Sequence, residues 1–382
     1  MASSAFDKNC QGLPAYLRRH VSAATRFFRL PEPLLLESGR SLEGVTVAYR
    51  TWGDPANAAN RAVLICHALT GSADVDAWWP GIISADGAFD PGKDFIVCSN
   101  ILGSCYGTTG PASLRPGSSE RYRADFPRIT VRDMVSAQRA LLDHLGIDRL
   151  ALVTGPSLGG MQALEWALMH PDRVESIVPI GVGGRHSAWC IAMSEAQRNA
   201  IYADQHWNGG NYSDERTPEA GLAAARMMAI CTYRSWQSFD ARFGRDERDD
   251  GKFEVQSYLR HQGEKINKRF DANTYVRLTQ AMNDFDIGRG RGDYLSVMRS
   301  IRHPALVVSV SSDLLYPPHE QRLLAQHMPH AQHALLRSSD GHDGFLIECG
   351  ELARIIADFR LLRASGRVRR PRRVTGISAV AE

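Results

Sequence analysis

The feature that most narrows the fold is a junction near the middle of the chain. There the apolar run RLALVTG at 149–155 passes directly into SLGGMQALEWALMH at 157–170. A short continuous apolar run suits a strand buried on both faces, and the spacing that follows suits a helix. Two similar runs precede it, AVLICHA at 62–68 and DFIVCSN at 94–100. Between the second run and the junction lies ITVRDMVSAQRALLDHLGI at 129–147, with apolar residues at helical spacing, Thr130 as N-cap and Gly146 as stop. Strands alternating with helices imply right-handed crossovers and a mostly parallel sheet, an α/β architecture.

The alternation continues with VESIVPIGVGG at 174–184 and then breaks. Residues 185–300 show helical stretches and no convincing strand. The sheet pattern returns in PALVVSVSSD at 304–313 and AQHALLRSSD at 331–340, and one final helix is expected over 345–363. The expected organisation is a core of 1–184 and 301–362, interrupted by a helical lid insertion at 185–300. Within that core, residues 1–30 read as irregular and partly disordered, and 31–52 as two strands joined by a Ser-Gly-Arg-Ser turn. Residues 363–382 read as a basic, disordered tail.

Six arginines lie in those last twenty residues against one acid, Glu382, so of a net charge of +3 five positive charges belong to the tail and the body carries about −2. A near-neutral body does not suit nucleic-acid binding. No run of about 18 apolar residues occurs, so no membrane span is expected. The opening MASSAFDKNCQGLPAYLRRH lacks the apolar region of a secretion signal. The seven cysteines are odd in number, widely spaced and free of C-x-x-C, which suits reduced thiols and a cytoplasmic location.

Gly155-Pro156-Ser157-Leu158-Gly159 is a G-x-S-x-G between a buried-type strand and a helix, the setting of a nucleophile elbow. Ser157 is the candidate nucleophile. The Leu158 N–H, at the helix N-terminus, is a candidate oxyanion donor. The acid and base are expected later in the chain, each at the carboxyl end of a strand. Asp313 and His342 meet that order. Leu69, after the first apolar run, is the second oxyanion candidate. His67 precedes the nucleophile and reads as a loop-shaping residue. The histidine run 327, 330, 333 straddles a proline and a strand start, so no metal site is expected.

With these motifs in place, the sequence resembles the homoserine O-acetyltransferase family of the α/β-hydrolase fold over roughly residues 30–362. The marks are HALTG at 67–71, NILGSCYGTTGPAS at 100–113, GPSLGGMQALEWA at 155–167, QRNAIYAD at 197–204, GLAAARMMAICTYRS at 221–235, SSDLLYPP at 311–318 and DGHDGF at 340–345. The resemblance implies acetyl transfer from acetyl-CoA to L-homoserine, with no bound cofactor and with acetyl-CoA as cosubstrate. It implies Ser157, Asp313 and His342 as the catalytic set, Leu69 and Leu158 as oxyanion donors, and Arg226 and Asp343 as binders of the amino-acid carboxylate and ammonium. Tyr233, seven residues after Arg226, is expected on the same helical face, where it would add a hydrogen bond to the substrate. A homodimer through the insertion is implied as well.

The chain departs from the resemblance at Pro156 and Leu158, where the family usually has Gly or Ala and often Met. Pro156 lacks an N–H and holds Gly155 extended, which is expected to reshape the acyl pocket. A succinyl donor, an L-serine acceptor, or water as acceptor in an esterase or thioesterase stand as alternatives.

Overall fold

The computed structural model describes residues 12–365. Its strands are β1 (Arg26–Arg29), β2 (Leu34–Leu35), β3 (Ser41–Leu42), β4 (Thr46–Trp52), β5 (Ala62–Cys66), β6 (Phe95–Ser99), β7 (Leu152–Pro156), β8 (Ile177–Ile180), β9 (Ala305–Val310) and β10 (Ala331–Leu336). Eight of them form one sheet in the order β1-β4-β6-β5-β7-β8-β9-β10, and β2 pairs with β3 in a separate hairpin. From β6 to β10 the neighbours are parallel, while β4 runs antiparallel to both β1 and β6.

Strand alternation builds two cores. Leu64, Cys66, Val97, Val153 and Val307 face one side, under the helices Val131–His144 and Leu158–Met169. Val63, Ile65, Ile96, Leu152, Val178 and Val308 face the other, under Trp79, Phe89 and the helix Cys349–Ala364. Both faces are dry, which is why these strands carry uninterrupted apolar runs. Each large side chain so buried contributes about 1.5–3 kcal/mol. Thr130 caps its helix as its position implies, in a capping box with Asp133, and Gly146 takes the positive φ of 68° that ends it.

Parallel strands bring their carboxyl ends to one edge. The loops after β5, β7, β8, β9 and β10 therefore open on the same side. The insertion covers residues 185–300 with helices at Ala188–Tyr202, Glu219–Tyr233, Trp236–Phe243, Glu254–Asn267, Ala272–Asn283 and Tyr294–Ser300. Its Ile201, Leu222, Tyr275 and Leu278 join the same hydrophobic cluster as the sheet.

Three readings need correction. Residues 12–30 are ordered: Leu13 and Leu17 are buried, and β1 pairs with β4 at the sheet edge. Elements four residues long leave no periodicity to read. Residues 31–52 give a small hairpin plus β4, which joins the main sheet. The last helix breaks at Glu348 (φ −88°, ψ 42°) into Gly344–Ile347 and Cys349–Ala364. That final helix takes in Arg363, which donates to the Ser176 hydroxyl at 2.5 Å and so belongs to the folded body. Residues 1–11, and 366–382 with the rest of the basic tail, lie outside the described residues.

Candidate active site

Ser157 adopts φ 55° and ψ −121°, a conformation that costs a side-chain-bearing residue about 1–3 kcal/mol. Its neighbours make the turn possible. A Cβ on Gly155 would lie 2.2 Å from the Cys66 carbonyl oxygen, and one on Gly159 only 2.0 Å from the same atom. β5 and the elbow thus approach at a distance that only glycine permits. Pro156 costs no sheet bond here, because the Ser157 N–H makes the link to the Ile180 carbonyl at 2.8 Å.

The residue after Ile180 gathers the other two partners. A Cβ on Gly181 would lie 3.4 Å from His342 Cε1 and 3.6 Å from Asp313 Oδ2. His342 Nδ1 is 2.6 Å from Asp313 Oδ2, and Asp313 Oδ1 accepts from the N–H groups of Leu315 and Tyr316, each at 2.9 Å. This bonding makes Nδ1 the protonated ring nitrogen and leaves the Nε2 lone pair available. Nε2 is buried and has no hydrogen-bond partner among the described residues. The Ser157–His342 hydrogen bond is therefore not formed, as is common before substrate binds. Tyr316, Tyr233 and Phe345 wall the imidazole, with ring centroids 5.3, 5.8 and 5.1 Å away.

Leu158 is fully buried as the first residue of its helix, where an N–H has no intrahelical acceptor. Leu69 is buried in the loop after β5. Arg269 of the insertion holds that loop, donating to the Thr70 carbonyl at 2.8 Å. His67 shapes it from within. Its Nε2 accepts from the Ile101 N–H at 3.2 Å and its Nδ1 donates to the Ala68 carbonyl at 2.8 Å, and burial pushes its pKa down to about 4. His333, the last of the histidine run, meets the Ser309 hydroxyl at 2.6 Å.

Arg226 and Tyr233 share a helical face, with the guanidinium 5.5 Å from the ring centroid. Asp343 follows His342 directly. Burial pushes its carboxyl above the ordinary range, and Arg234, Arg226 and His342 pull against that shift. Arg234 had no assigned role in the sequence reading; its Nε lies 3.4 Å from Asp343 Oδ2. Its only signal was adjacency to Tyr233. Tyr275, also unassigned from sequence, donates to Gln197 Oε1 at 2.7 Å beside Tyr233. Leu69, Tyr233, Gln197, Cys190, Met193 and Met282 border a cavity of about 20 Å³, space for a single water-sized group.

The site thus combines a strained serine, an oriented imidazole and buried donors at the edge of a parallel sheet. The family description alpha/beta hydrolase fold matches residues 61–348. A homoserine O-acetyltransferase of Trichormus variabilis is 58% identical over 341 residues, 89% of this chain and 95% of that relative. The chain belongs to the homoserine O-acetyltransferase family. A second homoserine O-acetyltransferase, from Chlorobaculum tepidum, is 53% identical over 90% of this chain and 96% of its own. Among solved structures, the homoserine O-acetyltransferase from Bacillus anthracis superposes with a TM-score of 0.81 at 24% identity, covering 88% of this chain and 97% of that one. Esterase E22 superposes equally well, with a TM-score of 0.81 at 27% identity over 88% of this chain and 99% of its own. The fold alone therefore does not separate homoserine O-acetyltransferases from esterases.

Proposed function

We propose that this protein transfers an acetyl group from acetyl-CoA to the hydroxyl of L-homoserine through an acyl-serine intermediate, on the route to methionine. The observation that carries the reading is that one guanidinium, Arg226, stacked on Tyr233, lies near enough to Asp343, the carboxyl next to His342, for its charge to act on it. Water as acceptor needs neither charge. A zwitterionic amino acid needs both.

In the first half-reaction His342 Nε2 takes the Ser157 proton as Oγ attacks the thioester carbon. The Leu69 and Leu158 N–H groups receive the oxyanion, and CoA leaves as the thiol after His342 returns the proton. In the second half-reaction the homoserine hydroxyl gives its proton to His342 and attacks the acyl carbon. As the intermediate collapses, His342 returns that proton to Ser157 Oγ, the acyl–serine bond breaks and O-acetyl-homoserine departs. The insertion favours the alcohol over water by excluding solvent and by fixing the acceptor through Arg226 and Asp343.

We further propose a cytoplasmic enzyme with acetyl-CoA as cosubstrate, no bound cofactor, and neither nucleic-acid nor membrane partners. Among the described residues no helix is long and apolar enough to cross a membrane. A homodimer through the insertion would cover Trp236 and Leu314, which are 67% and 48% exposed beside Phe239, Phe243 and Leu259. Light scattering tests that assembly.

Thiol release from acetyl-CoA and from succinyl-CoA, with and without L-homoserine or L-serine, tests the activity. The reading expects acetyl-CoA turnover to depend on homoserine. Thiol release that ignores the amino acid would instead favour a thioesterase.

A further inference from the structure

The run Gly181-Val182-Gly183-Gly184 follows β8. Gly181 packs against the Asp313–His342 pair, as described above. Gly183 packs against a different acid. A Cβ there would lie 2.5 Å from Glu320 Oε2 and 3.4 Å from Glu320 Cβ. The Glu320 side chain therefore lies flat on the Gly183 backbone, and any larger residue at 183 would displace it. Glu320 stands near the start of the helix Pro318–His327, and its Oε2 is buried with no hydrogen-bond partner among the described residues. One oxygen of this half-buried acid has thus been taken out of water without a direct partner, which is costly for the charged form.

The groups that face it come from several elements. Asp313 presents its negative charge from the loop after β9, and Arg185 presents the one cation of this group. The Arg185 guanidinium is stacked on Tyr294, 4.5 Å from the ring centroid. The phenols of Tyr294 and Tyr316 and the thiol of Cys190 complete the surround. The Tyr316 hydroxyl is already engaged with His186 Nδ1 at 2.9 Å. Burial, with Asp313 adding to it, pushes the Glu320 carboxyl up to about 7.

We propose that Glu320 is a positioning residue for catalysis: a second carboxyl, seated on Gly183 two residues beyond the Gly181 that packs on the Asp313–His342 pair, whose charge supports that pair. The inference rests on the acyl-serine reading above and adds a residue to it. When ionised, Glu320 contributes negative charge near Asp313 while the imidazolium forms as His342 takes the Ser157 proton. When neutral, it contributes none. No bond forms or breaks at Glu320 itself.

The test compares the wild-type protein with Glu320→Gln, which keeps the shape and removes the charge. Hydrolysis of p-nitrophenyl acetate reports acylation of Ser157 without any amino-acid acceptor. The expected rates are equal within about twofold near pH 5.5, with the wild type roughly three- to tenfold faster near pH 8.5. Melting temperatures supply a second readout. An acid raised on folding costs the wild type stability as pH rises from the ordinary carboxyl range to about 7, so the Glu320→Gln protein should gain on it over that window and hold the gain above it. A rate ratio that stays constant with pH, whatever its size, overturns the proposal, even if the melting temperatures diverge. Homoserine-independent thiol release would overturn the acceptor assignment while leaving the ester ratio readable.

Discussion

Arg234 Nη1 lies 2.6 Å from Asp340 Oδ1, joining the helical insertion to the loop that carries His342. Other contacts support the joint. The Ser238 hydroxyl donates to Asp340 Oδ1 at 2.7 Å, and the Ser235 hydroxyl donates to the Ser339 carbonyl. A Cβ on Gly341 would lie 2.7 Å from the backbone of Tyr233, Arg234 and Ser235. The two segments are locked together, so Arg226 and Tyr233 of the insertion keep a fixed relation to His342.

Arg234→Gln breaks this joint. Asp340 loses its paired cation and Asp343 one of the two guanidinium groups that act on it, in a partly buried setting, a cost of about 1–3 kcal/mol. The expected result is a lower melting temperature together with at least a roughly tenfold loss in both ester hydrolysis and homoserine acetylation. Unchanged rates in a folded variant would show that the joint does not position the base.

Arg226→Gln should act on one half-reaction. Losing a charged fork for the acceptor carboxylate costs about 2–4 kcal/mol of binding, a rise in KM for homoserine of roughly 30-fold or more. Acylation by p-nitrophenyl acetate should be kept. Steady-state kinetics on both substrates check the split, and an equal loss in both would remove Arg226 from acceptor binding.

His67 makes stability depend on pH. Its pKa falls from about 6.5 in the unfolded chain to about 4 in the fold. The stabilising contribution is complete above about 6.5 and is lost as pH drops towards 4, about 3 kcal/mol in total. Denaturant unfolding from pH 7.5 to 4.5 should show that decline, and His67→Gln should flatten it. A slope unaltered by the substitution would mean that other groups set it.

Thr130→Ala removes a helix cap on an element away from the catalytic loops. The expected cost is about 1 kcal/mol, with kinetics unchanged. Thermal unfolding beside a standard activity assay checks both halves of this statement.

The catalytic core was legible because its physics is local. An elbow needs small residues at fixed offsets, and Gly155, Gly159 and Gly160 stand at them. Buried parallel strands need continuous apolar runs, and β5, β6 and β7 have them. Asp313 and His342 were found by chain order and strand ends. Arg226 and Tyr233 were singled out by family resemblance alone, since an arginine on a helix carries no mark of a ligand; the structure brings the two into contact. Arg234, Arg269 and Glu320 were missed because their partners are distant in sequence: Asp340, Thr70 and Gly183 meet them only through tertiary packing. β1 was missed because four residues give no period.

Mass spectrometry of the intact protein and of its peptides, after brief exposure to acetyl-CoA without homoserine, tests the central claim most directly. The account predicts a gain of one acetyl group on a peptide containing Ser157, absent in Ser157→Ala and discharged on adding L-homoserine. Homoserine acetylation at full rate by Ser157→Ala, or an acetyl group found on another residue, would contradict it.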